Sequence, residues 1–97
     1  MLNSKLASEV QKRDNYVCQY CGKDGLESLE NWHHTVVDHF DPKKGDVEDN
    51  LVTSCEYCNA IKLNKVFDTM QEARDYIIGR RIQLFKDFLK VKREVRS

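Results

Sequence analysis

Four cysteines stand in two Cys-x-x-Cys pairs, and their spacing carries the clearest chemical information in the chain: Cys18, Cys21, Cys55 and Cys58. Each pair is typical of a zinc knuckle, and four thiolates complete a tetrahedral structural zinc site. Two disulfides or a redox motif would use the same residue type. Thioredoxin-like redox sites use a single pair, however, and disulfides need an oxidising compartment. The sequence therefore favours structural Zn²⁺.

Polar residues lie between the two cysteine pairs or directly after the second pair: Asp38, His39, Asn50 and Asn59. A histidine side chain can accept a proton from water near neutral pH, so His39 is a candidate general base. Each residue also has a simpler interpretation when taken alone. His39 could be a hydrogen-bonded strand residue, and the two asparagines could cap or join elements.

A chain of 97 residues fits one domain, predicted over residues 1–97, with too small an apolar core to fold easily without a metal. The first residues contain no apolar signal core, and no stretch is long enough to span a membrane. We therefore expect a cytoplasmic, reducing location and no membrane partner.

Charge is unevenly distributed although the net charge is zero. Residues 24–56 contain nine acidic residues and two lysines, Lys43 and Lys44, whereas residues 80–97 carry a net charge of +5 that includes Arg80 and Arg81. An acidic centre suits a divalent cation, and basic residues suit a phosphate backbone. A solvated helix face is the simpler explanation of the basic segment.

Local patterns predict a helix over 3–14, strands over 34–40 and 51–53, and a helix over 55–65 that carries the second knuckle. A capping-box pattern opens a C-terminal helical region over 69–95, either one helix or two joined near Gly79. We expect its apolar stripe to pack on the zinc core. A homodimer, or a larger complex of phage or mobile-element type, would also cover so wide a face.

Most residues between these elements are expected to have structural roles. Leu26, Leu29 and Trp32 are expected to form a small core, and Tyr20 is expected in the core or at its rim. His33 and His34 could offer a second register for the catalytic histidine or line a groove, but only His39 has the Val-Asp-His context. We therefore treat His33 and His34 as structural.

The ordered motifs together resemble the HNH endonuclease family, in particular its four-cysteine group with a ββα-metal finger. They read Cys18-x-x-Cys21-Gly22, Val37-Asp38-His39, Asn50-Leu51-Val52 and Cys55-x-x-Cys58-Asn59-x-x-Lys62. The resemblance covers a core motif over 16–65. The loop 43–46 departs from the family's frequent glycine pair, and Asn59 stands where the family often has histidine.

The resemblance implies an α+β fold, a zinc-stabilised ββα finger flanked by an N-terminal helix and a C-terminal helical extension. It implies a DNA endonuclease with His39 as general base, Asn50 constraining the loop and the histidine, and Asp38 and Asn59 holding Mg²⁺ or Mn²⁺. Lys62, one helical turn beyond Cys58, is expected to reach a phosphate. The alternative is a non-catalytic zinc ribbon that binds nucleic acid or protein, although such a ribbon has no need of the polar set.

Overall fold

The structure is a computed structural model that describes residues 2–97. Within these residues, six helices and strands follow one another: α1 (Ser4–Arg13), α2 (Leu29–His33), β1 (Thr35–His39), β2 (Leu51–Cys55), α3 (Glu56–Lys62) and α4 (Met70–Arg96). A short 3₁₀ turn, Glu48–Asn50, leads into β2. The predicted α+β class is confirmed, and β1, β2 and α3 form the expected ββα finger.

The two strands form an antiparallel pair in which His39 faces Leu51 and Thr35 faces Cys55. α3 begins immediately after β2, with the backbone N–H of Cys58 donating to Cys55 Sγ over 3.4 Å. No loop separates the second strand from the helix. The end of β1, the start of β2 and the face of α3 are therefore held in one rigid unit.

The four cysteine sulfurs converge at one point, all within 4.8 Å of one another, with Cys21 and Cys55 sulfurs 3.8 Å apart. A tetrahedral zinc site with Zn–S bonds of about 2.3 Å has sulfur–sulfur edges of about 3.8 Å. The loop after α1 supplies the first pair, and the β2–α3 junction supplies the second. The cluster thus ties the N-terminal third of the chain to the ββα finger.

The close packing of these thiols favours a bound cation. Hydrogen bonds from Cys21, Cys55 and Cys58 lower the pKa of Cys18, and the same crowding raises the pKa of Cys58. The pKa values of Cys18 and Cys55 are lowered while those of Cys21 and Cys58 are raised, because four adjacent negative charges repel one another. A bound dication would allow all four thiolates to form.

Polar contacts attach α1 to the sheet. Asn3 caps the helix, and at the other end the carboxylate of Asp14 accepts a 2.9 Å hydrogen bond from the backbone N–H of Thr53. The Arg13 guanidinium donates to the carbonyl of Leu51 over 2.6 Å. These bonds fix α1 to the sheet, whereas α4 packs on α3 and the cysteine cluster.

α4 is one continuous helix, and Thr69 caps it by accepting from the N–H of Glu72 over 3.1 Å, as the capping pattern predicted. Only Ala73 and Ile77 of this helix are buried. The expectation that the whole apolar stripe packs on the zinc core is therefore wrong for Phe88, Val91 and Val95, which are exposed because the helix runs past the finger before the stripe ends. None of the helices within residues 2–97 has the length and apolarity to cross a bilayer.

The expected small core around residues 26–32 is also wrong. Leu26, Leu29 and Trp32 are 55%, 79% and 50% exposed. Residues 29–33 form the short helix α2, which Ser28 caps by accepting from the N–H of Asn31. A five-residue helix at the surface leaves its apolar side chains without a layer to pack against.

Gly25 is buried where no side chain fits, because a Cβ atom there would lie 2.6 Å from both the Thr35 hydroxyl and the Tyr16 carbonyl oxygen. We expect Gly25→Ala to lower the free energy of unfolding by about 1–3 kcal/mol, the usual cost of overpacking. Chemical denaturation followed by circular dichroism measures the change. Gly79→Ala is the control: that position in α4 is open, so alanine should stabilise the helix by about 0.5–1 kcal/mol. Equal effects of the two substitutions would contradict the close contact.

Removing the metal should unfold the domain. Structural zinc contributes about 10–16 kcal/mol of apparent binding free energy in small zinc domains, which exceeds what so small a core provides. We expect one zinc per chain by elemental analysis, and loss of the cooperative melt with a strong chelator or with Cys55→Ser. Added zinc should restore the chelated parent but not the serine variant. An unchanged melt after chelation would contradict a stabilising zinc.

Candidate active site

A cleft of about 470 Å³ opens where β1 ends, between the following loop and α3. Three of the predicted polar residues, Asp38, His39 and Asn59, line it together with Asp46. The fold brings these residues together because β1 and α3 are neighbouring parts of the finger. The fourth, Asn50, lies beneath the loop that forms one wall.

His39 is the last residue of β1 and is partly exposed in the cleft. Its Nε2 lies 2.6 Å from Oδ1 of Asp46, a residue of the loop between the strands. A carboxylate on one ring nitrogen fixes the direction of the ring and makes that nitrogen the protonated one. The other nitrogen, Nδ1, is then the one able to accept a proton.

Asn50 is buried and its amide side chain closes the loop. Its Oδ1 accepts from the N–H of Asp41 over 2.8 Å, and its Nδ2 donates to the carbonyls of Asp41 and Gly45 over 2.9 and 3.1 Å. All of these contacts are with the loop backbone and none is with the His39 ring. Asn50 therefore shapes the loop that carries Asp46 to His39.

Asp38 precedes His39 in β1 and is buried at the wall of the same cleft. Its Oδ2 accepts a 2.6 Å hydrogen bond from the Tyr20 hydroxyl and lies 3.2 Å from Nζ of Lys62. Burial, then the hydrogen bond to Asp38, raises the pKa of Tyr20, which keeps the phenol protonated as a donor. Both contacts fall on one oxygen, so within residues 2–97 Oδ1 is the oxygen without such a partner.

Lys62 lies inside the protein, in contrast to its predicted contact with phosphate. Its side chain is fully buried, and Nζ donates to the carbonyl of His39 over 3.0 Å as well as facing Asp38. A buried ammonium needs such partners, because an unpaired charge in the interior is costly. The pair joins α3 to the end of β1, and no part of the ammonium remains for a surface ligand.

Asn59 follows Cys58 on α3 and is half-buried at the wall of the cleft. Its backbone position is fixed by the neighbouring cysteine ligand. An amide oxygen from Asn59 and a carboxylate oxygen from Asp38 are hard donors of the type that Mg²⁺ and Mn²⁺ prefer. The two side chains share the cleft, so their chemistry fits a divalent cation.

The four remaining predicted contact residues lie in different surroundings. Lys43 and Lys44 are exposed on the loop, between Pro42 and Gly45 of the cleft wall. Arg80 is exposed on α4, whereas Arg81 turns inward.

The Arg81 guanidinium donates to Cys58 Sγ over 3.3 Å and lies 4.4 Å from the centre of the Tyr57 ring. Partial burial opposes its charge, but the bond to Cys58 and the nearby thiols raise the pKa of Arg81. Arg81 therefore serves the cysteine cluster, whose thiolates carry more negative charge than one zinc ion neutralises.

Sequence reasoning missed Asp46 and Tyr20 as parts of the site. Asp46 follows His39 by seven residues in an irregular loop, and no periodic rule joins the two. Tyr20 stands inside the first cysteine pair, so its nearness to the metal knuckle was the signal that could have placed it beside Asp38.

One comparison with known proteins identifies the family. A family model described as HNH endonuclease matches residues 18–65, about half of the chain. No curated protein matches the chain, and no solved structure does. The matched segment begins at the first cysteine and includes both strands, the cleft and α3. The chain therefore belongs to the HNH endonuclease family, with residues 18–65 as its HNH segment.

Proposed function

We propose that this protein is a metal-dependent DNA endonuclease that hydrolyses phosphodiester bonds at the cleft of Asp38, His39 and Asn59. The observation that carries the proposal is the pair formed by His39 Nε2 and Asp46 Oδ1, 2.6 Å apart at the cleft. A structural ribbon has no use for an oriented, partly exposed imidazole beside two further oxygen donors.

In this mechanism His39 is the general base. Asp46 holds Nε2, and Nδ1 takes the proton from the attacking water, which raises the nucleophilicity of that water. Asn50 supports the base indirectly by fixing the loop that carries Asp46. The strand pairing of His39 with Leu51 keeps the imidazole at the cleft throughout.

Asp38 and Asn59 would hold the catalytic Mg²⁺ or Mn²⁺. When bound, such an ion supplies charge neutralisation to a phosphate and to the leaving oxygen. Tyr20 and Lys62 orient the Asp38 carboxylate through Oδ2, so the carboxylate does not need to reorganise. Lys62 also offsets part of its negative charge, which limits how tightly the site would bind a cation.

DNA would approach over the loop and along α4. Lys43 and Lys44 project from the cleft wall, and Arg80 lies exposed on the basic helix, so all three can contact backbone phosphates. We do not include Lys62 or Arg81 in this surface, because their cationic groups contact Asp38 and Cys58. Contacts of this kind bind DNA without reading its sequence.

The non-catalytic zinc ribbon remains the competing function, and cleavage by the parent protein separates the two. Supercoiled plasmid incubated with zinc-loaded protein and Mg²⁺ or Mn²⁺ should become nicked or linear. His39→Ala should lower the cleavage rate at least about 100-fold, because general-base catalysis contributes about 10²–10⁴-fold.

His33→Ala is the matched control, since His33 is exposed and lies outside the cleft lining. That variant should cut like the parent. Circular dichroism should show that both variants are folded. Cleavage by His39→Ala at the parental rate would contradict the general-base role, and a parent that binds DNA without cutting it would favour the ribbon.

The contact between Asp46 and His39 gives a second test of the mechanism. Asp46→Asn keeps the size of the side chain but removes its charge, and partners that orient a histidine in this way contribute about 10–100-fold to activity. We expect a loss in that range in the plasmid assay, with no change in melting temperature. Asp49→Asn, an exposed neighbour in the 3₁₀ turn, should have no effect. Equal activity of the two variants would show that Asp46 does not orient the base.

A further inference from the structure

The C-terminal part of α4 exposes many large apolar side chains. We define the arm face as the seven large apolar residues of this helix that are at least 39% exposed: Ile78, Ile82, Phe85, Phe88, Leu89, Val91 and Val95. Residues such as Ile78, Ile82, Phe85 and Leu89 recur every four or three positions, so they lie along one side of the helix. No residue of α4 after Ile77 is buried.

The exposed area is larger than a compact monomer of this mass requires. The accessible surface is 6801 Å², whereas the size scaling for monomeric proteins gives about 5,800 Å². The radius of gyration is 14.9 Å, compared with about 12.5 Å expected for this length. The excess of about 1,000 Å² is close to the roughly 800 Å² that each partner contributes to a standard interface.

The charge of the arm limits what can cover it. Residues 80–97 contain seven basic and two acidic residues, a net charge of +5. Two such helices placed side by side would repel each other, because like charges at an interface oppose association. The arm face therefore fits an apolar surface surrounded by acidic residues.

This chain carries such a surface around α2. We define the acidic patch as the exposed apolar residues Leu26, Leu29 and Trp32 with their acidic neighbours Asp24, Glu27 and Glu30. Leu29 and Trp32 are three residues apart and lie on one side of α2. Residues 24–42 contain no lysine or arginine. The patch is thus complementary to the arm face in both charge and apolarity.

We propose that two copies of this chain form a reciprocal dimer, in which the arm face of each copy packs on the acidic patch of the other. α4 is an unbroken helix of 27 residues, about 40 Å long, so its far end cannot fold back onto its own finger. With two-fold symmetry, both surfaces of both copies are covered, and no further copy can add to the assembly. Neither surface contains a residue of the cleft, so dimerisation and cleavage can be measured separately.

Sedimentation velocity of the zinc-loaded full chain tests the proposal. At low ionic strength we expect a species of twice the 11.4 kDa chain mass, with an apparent dissociation constant that rises when salt screens the charges. Phe88→Glu in the arm face and Leu29→Glu in the acidic patch should each give monomers. Gln83→Glu makes a similar charge change on the opposite side of α4 and should stay dimeric.

A mixture of the two monomeric variants is the sharpest measurement. Each variant keeps one intact surface, so the arm of the Leu29→Glu chain can still pack on the patch of the Phe88→Glu chain. We expect the mixture to form heterodimers that neither variant forms alone, with weaker affinity than the parent because one of two contacts remains. A monomeric parent would overturn the proposal. So would a dimeric Leu29→Glu variant, which would mean that α4 pairs with another surface, or a mixture that stays monomeric although both variants are folded.

Discussion

The cysteine cluster is the constraint on which the rest of the structure depends. A two-stranded sheet with three short helices buries too little apolar surface to hold its shape, and three of the six buried residues of the core cluster are cysteines. Four sulfurs within 4.8 Å of one another fix that junction. Because Asn59 follows a cysteine ligand directly and Tyr20 lies between two others, the same bonds that stabilise the fold also position the cleft.

Buried charge provides the second level of organisation. Lys62 and Asp38 form an ion pair inside a very small protein, where hydrophobic residues would give similar stability with less desolvation. The pair instead orients the end of β1. The ammonium of Lys62 binds the carbonyl of His39 and one oxygen of Asp38, and Tyr20 binds that same oxygen. Asp38 and the backbone of His39 are thus held in place by Lys62 of α3, and Asp38 also by Tyr20 of the first knuckle.

The two ends of α4 have different surroundings. Its first turns pack on the cysteine cluster through Ala73 and Ile77, and Arg81 donates to Cys58. Beyond that point the helix leaves the finger and exposes both its apolar side chains and its basic charge. The combination of a stable anchor and an unpaired extension is what one expects of a segment whose remaining contacts lie on another molecule.

The sequence by itself determined the metal knuckles, the ββα order and the family, because cysteine spacing, strand alternation and helix caps are local signals. Local chemistry was enough to predict that Thr69 caps α4 and that the four thiols form one cluster. Only the tertiary structure decided that Lys62 is buried, that Asp46 meets His39, and that Leu29 and Trp32 are exposed. Such contacts join residues through the path of an irregular loop or through the packing of separate elements, and neither is encoded in the spacing of residues along the chain.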